Sequence, residues 1–163
     1  VATAGTGVTI TGVGRYLKER NPRVKVYVAE PAECPLLSKQ RWGSHRIEGI
    51  GDGFIPSILD LSVLDGVITV SSDEAIEMTQ QLIREEGLFV GISSGANVKC
   101  CLKLHRRHPE LRRVVTMLND HAFRYFSTRL FGVRKELKIP ERPHPVHITP
   151  EQRKHLSRLE IIE

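Results

Sequence analysis

The stretch VKVYVAE, residues 24–30, limits the fold more than any other part of the chain. Valine, tyrosine and alanine follow one another, with Lys25 as the one interior charge. A strand with one wet face alternates apolar and polar residues. A near-continuous apolar run belongs instead to a parallel strand that helices cover on both faces. GVITV, residues 66–70, repeats the pattern, and RRVVTML, residues 112–118, reads as a third strand. The expected class is α/β, a three-layer sandwich with a mostly parallel sheet. Its ligand crevice would lie at the carboxyl ends of the strands.

Helical patterns fill the intervals. Residues 9–20 place Ile10, Val13, Tyr16 and Leu17 on one side, with Thr9 or Thr11 as cap and Asn21-Pro22 as stop. Ser71 and Glu74 read as a capping box for a helix striped by Ala75, Met78, Leu82 and Ile83 and ended by Gly87. Another helix is expected from about Ser94 to Arg107. Residues 119–131 begin with capping residues and continue with helix formers. Residues 32–65 hold Gly43, Gly49, Gly51 and Gly53 in an irregular pattern. A loop this long is ordinarily functional or disordered. Trp42, Ile47, Ile50, Phe54 and Ile58 favour an ordered lining of a cleft. Residues 1–132 then form the α/β domain. Residues 133–163 form a proline-rich, charged extension, expected to wrap a surface or a partner, with Thr149-Pro150-Glu151 opening a short helix.

Composition removes several function classes. No apolar run approaches the roughly 20 residues that span a membrane, and no signal peptide opens the chain. Cys34, Cys100 and Cys101 are odd in number, two are adjacent, and no CxxC occurs. A reducing cytoplasm is the expectation, without a disulfide framework. The net charge is +5 and the pI about 9.3. Its densest part, residues 99–114, interleaves Cys101, Leu102 and Leu104 with cations, as a surface helix does. No aromatic platform accompanies it, so no nucleic-acid partner is expected. His105 and His108 lack a third ligand at metal-like spacing, so no metal is expected.

The chemistry concentrates in AGTGVT, residues 4–9, a glycine-threonine turn opening a helix. Backbone N–H groups and threonine hydroxyls converge there as they would on an anion. Two readings stay open at this point. Gly5-x-Gly7 with Glu30 at the end of the next strand has the parts of a dinucleotide site, but Ile10 stands where a third glycine is needed. A single phosphate needs less. No nucleophile elbow, HExxH or spaced carboxylate pair is present. His121 lies beside Asp120 without a partnered serine, and Lys18, Lys25 and Lys39 read as exposed. The reactive residue would lie elsewhere.

Six motifs in order, GTGVTITGVGRYLKE, VAEPAE, IEGIGDGFIP, VSSDEAIE, EEGLFVGISSGAN and DHAFRYFST, resemble the C-terminal half of the cysteine synthases (O-acetylserine sulfhydrylases). These are fold-type-II pyridoxal-phosphate enzymes of tryptophan-synthase-beta-like architecture, with cystathionine β-synthase as a relative. The resemblance covers about residues 1–132. It implies a transferase that replaces the acetate of O-acetyl-L-serine with sulfide, giving L-cysteine. A homodimer, the cofactor pyridoxal 5'-phosphate and a missing N-terminal half carrying the Schiff-base lysine are implied too, so no catalytic residue is expected in this chain. Two alternatives are a cystathionine β-synthase-like enzyme using serine and homocysteine, and a non-catalytic regulatory derivative.

The resemblance also implies site residues. Gly5, Thr6, Gly7, Val8 and Thr9 fall on the phosphate loop, Gly49 beside the substrate adduct, Ser93 and Ser94 near the cofactor, and His121 opposite the pyridine nitrogen. Three positions depart from the family pattern. Val8 replaces a glycine and is expected to turn its side chain into the core. Asp52 replaces a small residue, and His121 replaces a hydroxyl.

Overall fold

A computed structural model describes residues 1–132 and 145–163. Four strands form one parallel sheet in sequence order: β1 (Ala2–Thr3), β2 (Tyr27–Pro31), β3 (Gly66–Val70) and β4 (Glu160–Ile162). The expected class holds. Every residue of β2 and β3 is buried, as a strand covered on both faces requires. Their side chains alternate between two cores. Val28 and Val67 face α1 (Val8–Arg20) and α5 (Pro150–Leu156). Ala29, Ile68 and Val70 face α3 (Ser72–Glu86) and α4 (Ile92–Arg107). A four-residue helix, α2 (Leu36–Lys39), follows β2.

Several local expectations hold. Ser71 and Glu74 make the full capping box of α3, and Gly87 ends it in the left-handed conformation. Thr149 and Gln152 box the start of α5, with Pro150 in its first turn. The segment read as an extension ends inside the fold. Leu156 and Leu159 enter one core, Ile162 enters the other, and β4 pairs with β3. Pro140 and Pro143 lie outside the described residues.

Others change. Residues 112–118 run beside β1 without forming a named strand, because β1 offers only two residues to pair with. The Val1 nitrogen donates to Val115 O at 2.9 Å, and Thr116 Oγ1 donates to Val1 O at 2.8 Å. Residues 119–131 form two 3-10 turns, Ala122–Tyr125 and Arg129–Phe131, instead of one helix. Helix α1 buries Ile10, Thr11 and Gly14, while Val13, Tyr16 and Leu17 stay exposed. In residues 32–65, Ile47 and Ile50 are core, whereas Phe54 and Ile58 face solvent.

Candidate functional site: a glycine loop at a helix start

The loop 4–7 leaves β1 at its carboxyl end and turns directly into α1. Gly7 is the cap, with φ +83° and no side-chain hydrogen bond to the helix. The expected threonine caps are therefore displaced. Thr9 already lies in the first turn. Thr11 is buried one turn further on, donating to Ile58 O at 3.2 Å and accepting from Asp60 N at 3.0 Å. The first helical bond runs from Thr11 N to Gly7 O. The amides ahead of it have no helical acceptor, and they sit at the positive end of the helix dipole. Thr6 and Thr9 are exposed beside them.

Val8 corrects an expectation. Its backbone is not in the left-handed region, and its side chain is 52% exposed, so it faces outward. The strained conformation sits one residue earlier, on glycine. The Val8 N–H points at Thr6 Oγ1, 3.5 Å away, too long for a strong bond. Gly49, with φ +84°, lies against the loop, and a methyl on Gly5 would run into its carbonyl oxygen. Asp52 is exposed.

Ser93 and Ser94 lie buried in the first turn of α4, in a network that ties this helix to β1. Asn119 Nδ2 donates to Thr3 Oγ1 at 3.2 Å and to Ser93 Oγ at 3.3 Å, and Asn119 N donates to Ser94 Oγ at 2.9 Å. Thr3 N donates to Asn97 Oδ1 at 2.7 Å, and Asn97 Nδ2 donates to Met117 O at 2.9 Å. Thr3, Asn97 and Asn119 escaped sequence reasoning. Their signal was present in SSGAN and in the Asn-Asp after the third apolar run, but their partners are 20 to 116 residues away.

His121 follows two residues later, in an antiparallel bridge with Val90. Its ring stacks on Phe123 at 4.5 Å and meets Phe89 edge-on at 5.2 Å. Beside it, Tyr125 Oη donates to Asp120 Oδ2 at 2.5 Å. Burial, then that contact, pushes the Tyr125 hydroxyl pKa well up.

The dinucleotide reading fails on Glu30. The acid is buried, and its two oxygens accept from Leu37 N at 2.8 Å, Ser38 N at 3.0 Å and Ser38 Oγ. It holds the start of α2 and does not reach for a ribose. Burial pushes its pKa up, opposed by those bonds.

The loop therefore offers a single anion a glycine turn, a free helix start and two hydroxyls. Residues 1–120 match the family described as "Pyridoxal-phosphate dependent enzyme". The chain belongs to that family. It is 53% identical over 132 residues to cysteine synthase B of Campylobacter jejuni, covering 81% of this chain and 44% of that protein. The crystal structure of O-ureido-L-serine synthase superposes with a TM-score of 0.77 at 38% identity, over 84% of this chain and 44% of the other. O-acetyl serine sulfhydrylase isoform 3 of Entamoeba histolytica gives 0.76 at 32% identity, over 98% and 44%. The chain thus spans under half the length of these relatives. Pyridoxal 5'-phosphate, the family's cofactor, carries a phosphate that matches the donor set of the loop.

Proposed function

We propose that this chain is the C-terminal, phosphate-holding part of a pyridoxal-phosphate-dependent cysteine synthase. The complete protein would replace the acetate of O-acetyl-L-serine with sulfide, giving L-cysteine and acetate. The observation that carries the reading is the start of α1, where Gly7 at φ +83° turns the loop into an uncapped helix with Gly49 packed against Gly5.

Gly5, Thr6, Gly7, Val8 and Thr9 would hold the phosphate through backbone amides and the two threonine hydroxyls. Gly49 would flank the reacting end. Ser93 and Ser94 fix Asn119, and through it the end of β1, so they act on the shape of the site. His121 would stand at the pyridine nitrogen. When bound, the cofactor supplies an electron sink for charge developing at the substrate α-carbon. This chain's residues position it and shield it. Lys18, Lys25, Lys39, Lys99 and Lys103 each face a carboxylate; the reactive lysine is expected from the remainder of the protein. Homodimer assembly in the cytoplasm belongs to the same reading.

A second reading, a non-catalytic derivative, draws on His121, whose ring is engaged with Phe89 and Phe123. The test is made on the assembled protein, by measuring cofactor dissociation beside visible absorbance. Thr6→Val keeps the shape and removes one hydroxyl facing a charged group. It should weaken retention by about 1.5–3 kcal/mol. His121→Ser should change the spectrum or turnover more than the retention. The opposite pattern reverses the two roles. Bound cofactor without cysteine formation from O-acetylserine and sulfide selects the non-catalytic reading.

A further inference from the structure

His45 lies half-buried in the irregular segment that follows α2, and its ring spans the turn that carries Gly49. Ile47 N donates to Nδ1 at 3.2 Å, and Nε2 lies 3.2 Å from Gly51 O. A carbonyl oxygen only accepts, so Nε2 donates while Nδ1 accepts. One form of the ring makes both bonds, the neutral imidazole with its proton on Nε2. Gly51 O also meets Cys34 Sγ at 3.7 Å, a weaker donor. A Cβ on Gly51 would stand 2.6 Å from His45 Nε2, so the ring reaches this carbonyl because the residue is glycine.

The turn is anchored on both sides of Gly49. Ile47 and Ile50 are buried in the core beneath α3 and α4. Arg46 N donates to Ser72 Oγ at 2.8 Å, at the start of α3. Between these anchors Gly49 is exposed, and its carbonyl oxygen rests against Gly5 of the loop that opens α1. Gly49 and Gly51 both have positive φ, +84° and +68°. Glycine loses more conformational freedom on folding than any other residue, so a turn with two of them needs a brace. The imidazole crosses this turn from residue 47 to residue 51.

We propose that His45 is a positioning residue for the site. Its neutral ring braces the 47–51 turn and so sets Gly49 against Gly5. The inference rests on the reading of the loop at α1 as the cofactor-phosphate cradle with Gly49 flanking the reacting end. His45 acts through the backbone alone. With Gly51 O released, the turn rotates at its two glycines and Gly49 O leaves Gly5.

The test uses the assembled protein with its cofactor. Asparagine and glutamine divide the two bonds of the ring, because an asparagine Oδ1 falls near the place of Nδ1 and a glutamine Nε2 near that of the ring Nε2. His45→Asn keeps an acceptor for Ile47 N and releases Gly51 O. His45→Gln keeps a donor for Gly51 O and releases Ile47 N. His45→Asn should raise the cofactor dissociation constant and the KM for O-acetylserine by about three- to tenfold each, with kcat changing less. His45→Gln should stay within about twofold of the unsubstituted protein. Nitrogen-15 NMR of labelled histidine in mildly alkaline buffer should show the His45 ring protonated on Nε2. A ring protonated on Nδ1 overturns the proposal. So does a His45→Gln defect as large as that of His45→Asn, or constants unchanged in both variants. A lowered melting temperature with unchanged constants makes His45 a stability residue only, and overturns it too. An unsubstituted protein that holds cofactor without forming cysteine removes the functional reading, and the brace is then judged on the ring form and the dissociation constants. Cysteine formation with a ring protonated on Nδ1 does the reverse.

Discussion

Gly7 answers to two separate demands. Its φ of +83° excludes most side chains, and a methyl there would stand 2.7 Å from Leu59 Cβ. Alanine at that position must strain the backbone or push the 59–60 segment away from α1. Gly7→Ala should cost about 1–3 kcal/mol for the backbone alone. A urea midpoint that falls with an unchanged slope would show it. Equal stability would mean that the loop relaxes freely and is not preorganised. Gly5→Ala makes the sharper comparison, because its obstacle is the Gly49 carbonyl and not a side chain. It should lower cofactor retention more than stability, by separating the two glycine segments. The importance of this loop was legible in the sequence, since glycines and threonines ahead of a helical pattern have few other uses. The cap was not. Thr11 looked like a local cap, yet its hydroxyl serves Ile58 and Asp60, 47 and 49 residues away. Glu30 misled in the same way, because its partners on α2 follow a turn the apolar pattern does not announce.

Among the elements, the long, strongly patterned ones were readable and the short ones were not. β2, β3 and α4 carry enough residues for their pattern to show, and in α3 pattern and capping agree. β4 has three residues after a charged helix, and only its place beside β3 makes it a strand. Residues 112–118 have the opposite character, with strand composition and too little of β1 to pair with. β4 is also held by ionisable groups. Glu160 accepts from Tyr27 Oη at 2.7 Å and lies 2.9 Å from His108 Nε2, with Arg107 Nε at 3.8 Å. His108 Nδ1 faces Glu110 at 3.2 Å. The contact with Glu160 raises the His108 pKa against the small pull of burial. Burial pushes Glu160 up, but Tyr27 and His108 outweigh it and hold its carboxyl below the ordinary range. The histidine contribution is complete below about pH 6.5, the unfolded value, and is lost as pH rises through its raised pKa. The Glu160 contribution is present above the ordinary carboxylate range and is lost as pH falls through its lowered pKa. β4 should therefore be held most firmly on the mildly acidic side of neutrality. Hydrogen exchange at Ile162, corrected for the intrinsic pH dependence, should quicken as pH rises past the His108 titration. His108→Gln should flatten that step. A step that survives the substitution would assign it to another group.

At the scale of the molecule, two groups of exposed apolar side chains bear on association. One is the groove lined by Val13, Leu17 and Val115, between α1 and residues 113–117. The other is the cluster of Phe89, Phe123, Phe126 and Phe131, with Phe123 64% and Phe126 52% exposed and ring centroids 4.6 to 6.3 Å apart. Single exposed apolar residues are ordinary, but contiguous patches mark contact surfaces or aggregation sites. β4 adds a third liability as a parallel edge strand with no described neighbour on its outer side, though its short length limits the pairing it offers. The 18.4 kDa chain in isolation should therefore associate with itself. Sedimentation velocity across a concentration series should show a rising weight-average coefficient rather than one sharp monomer boundary. The two patches can be separated. Phe123→Ser combined with Phe126→Ser removes aromatic surface without touching the groove, and Val115→Lys does the converse. If the aromatic face drives association, the double variant should return the chain towards monomer and Val115→Lys should change little. If the groove drives it, the order reverses. A stable monomer at every concentration would mean that neither face is sticky enough to matter. The exposed rings would then be ordinary surface, and the groove would close by local rearrangement of α1 and residues 112–118.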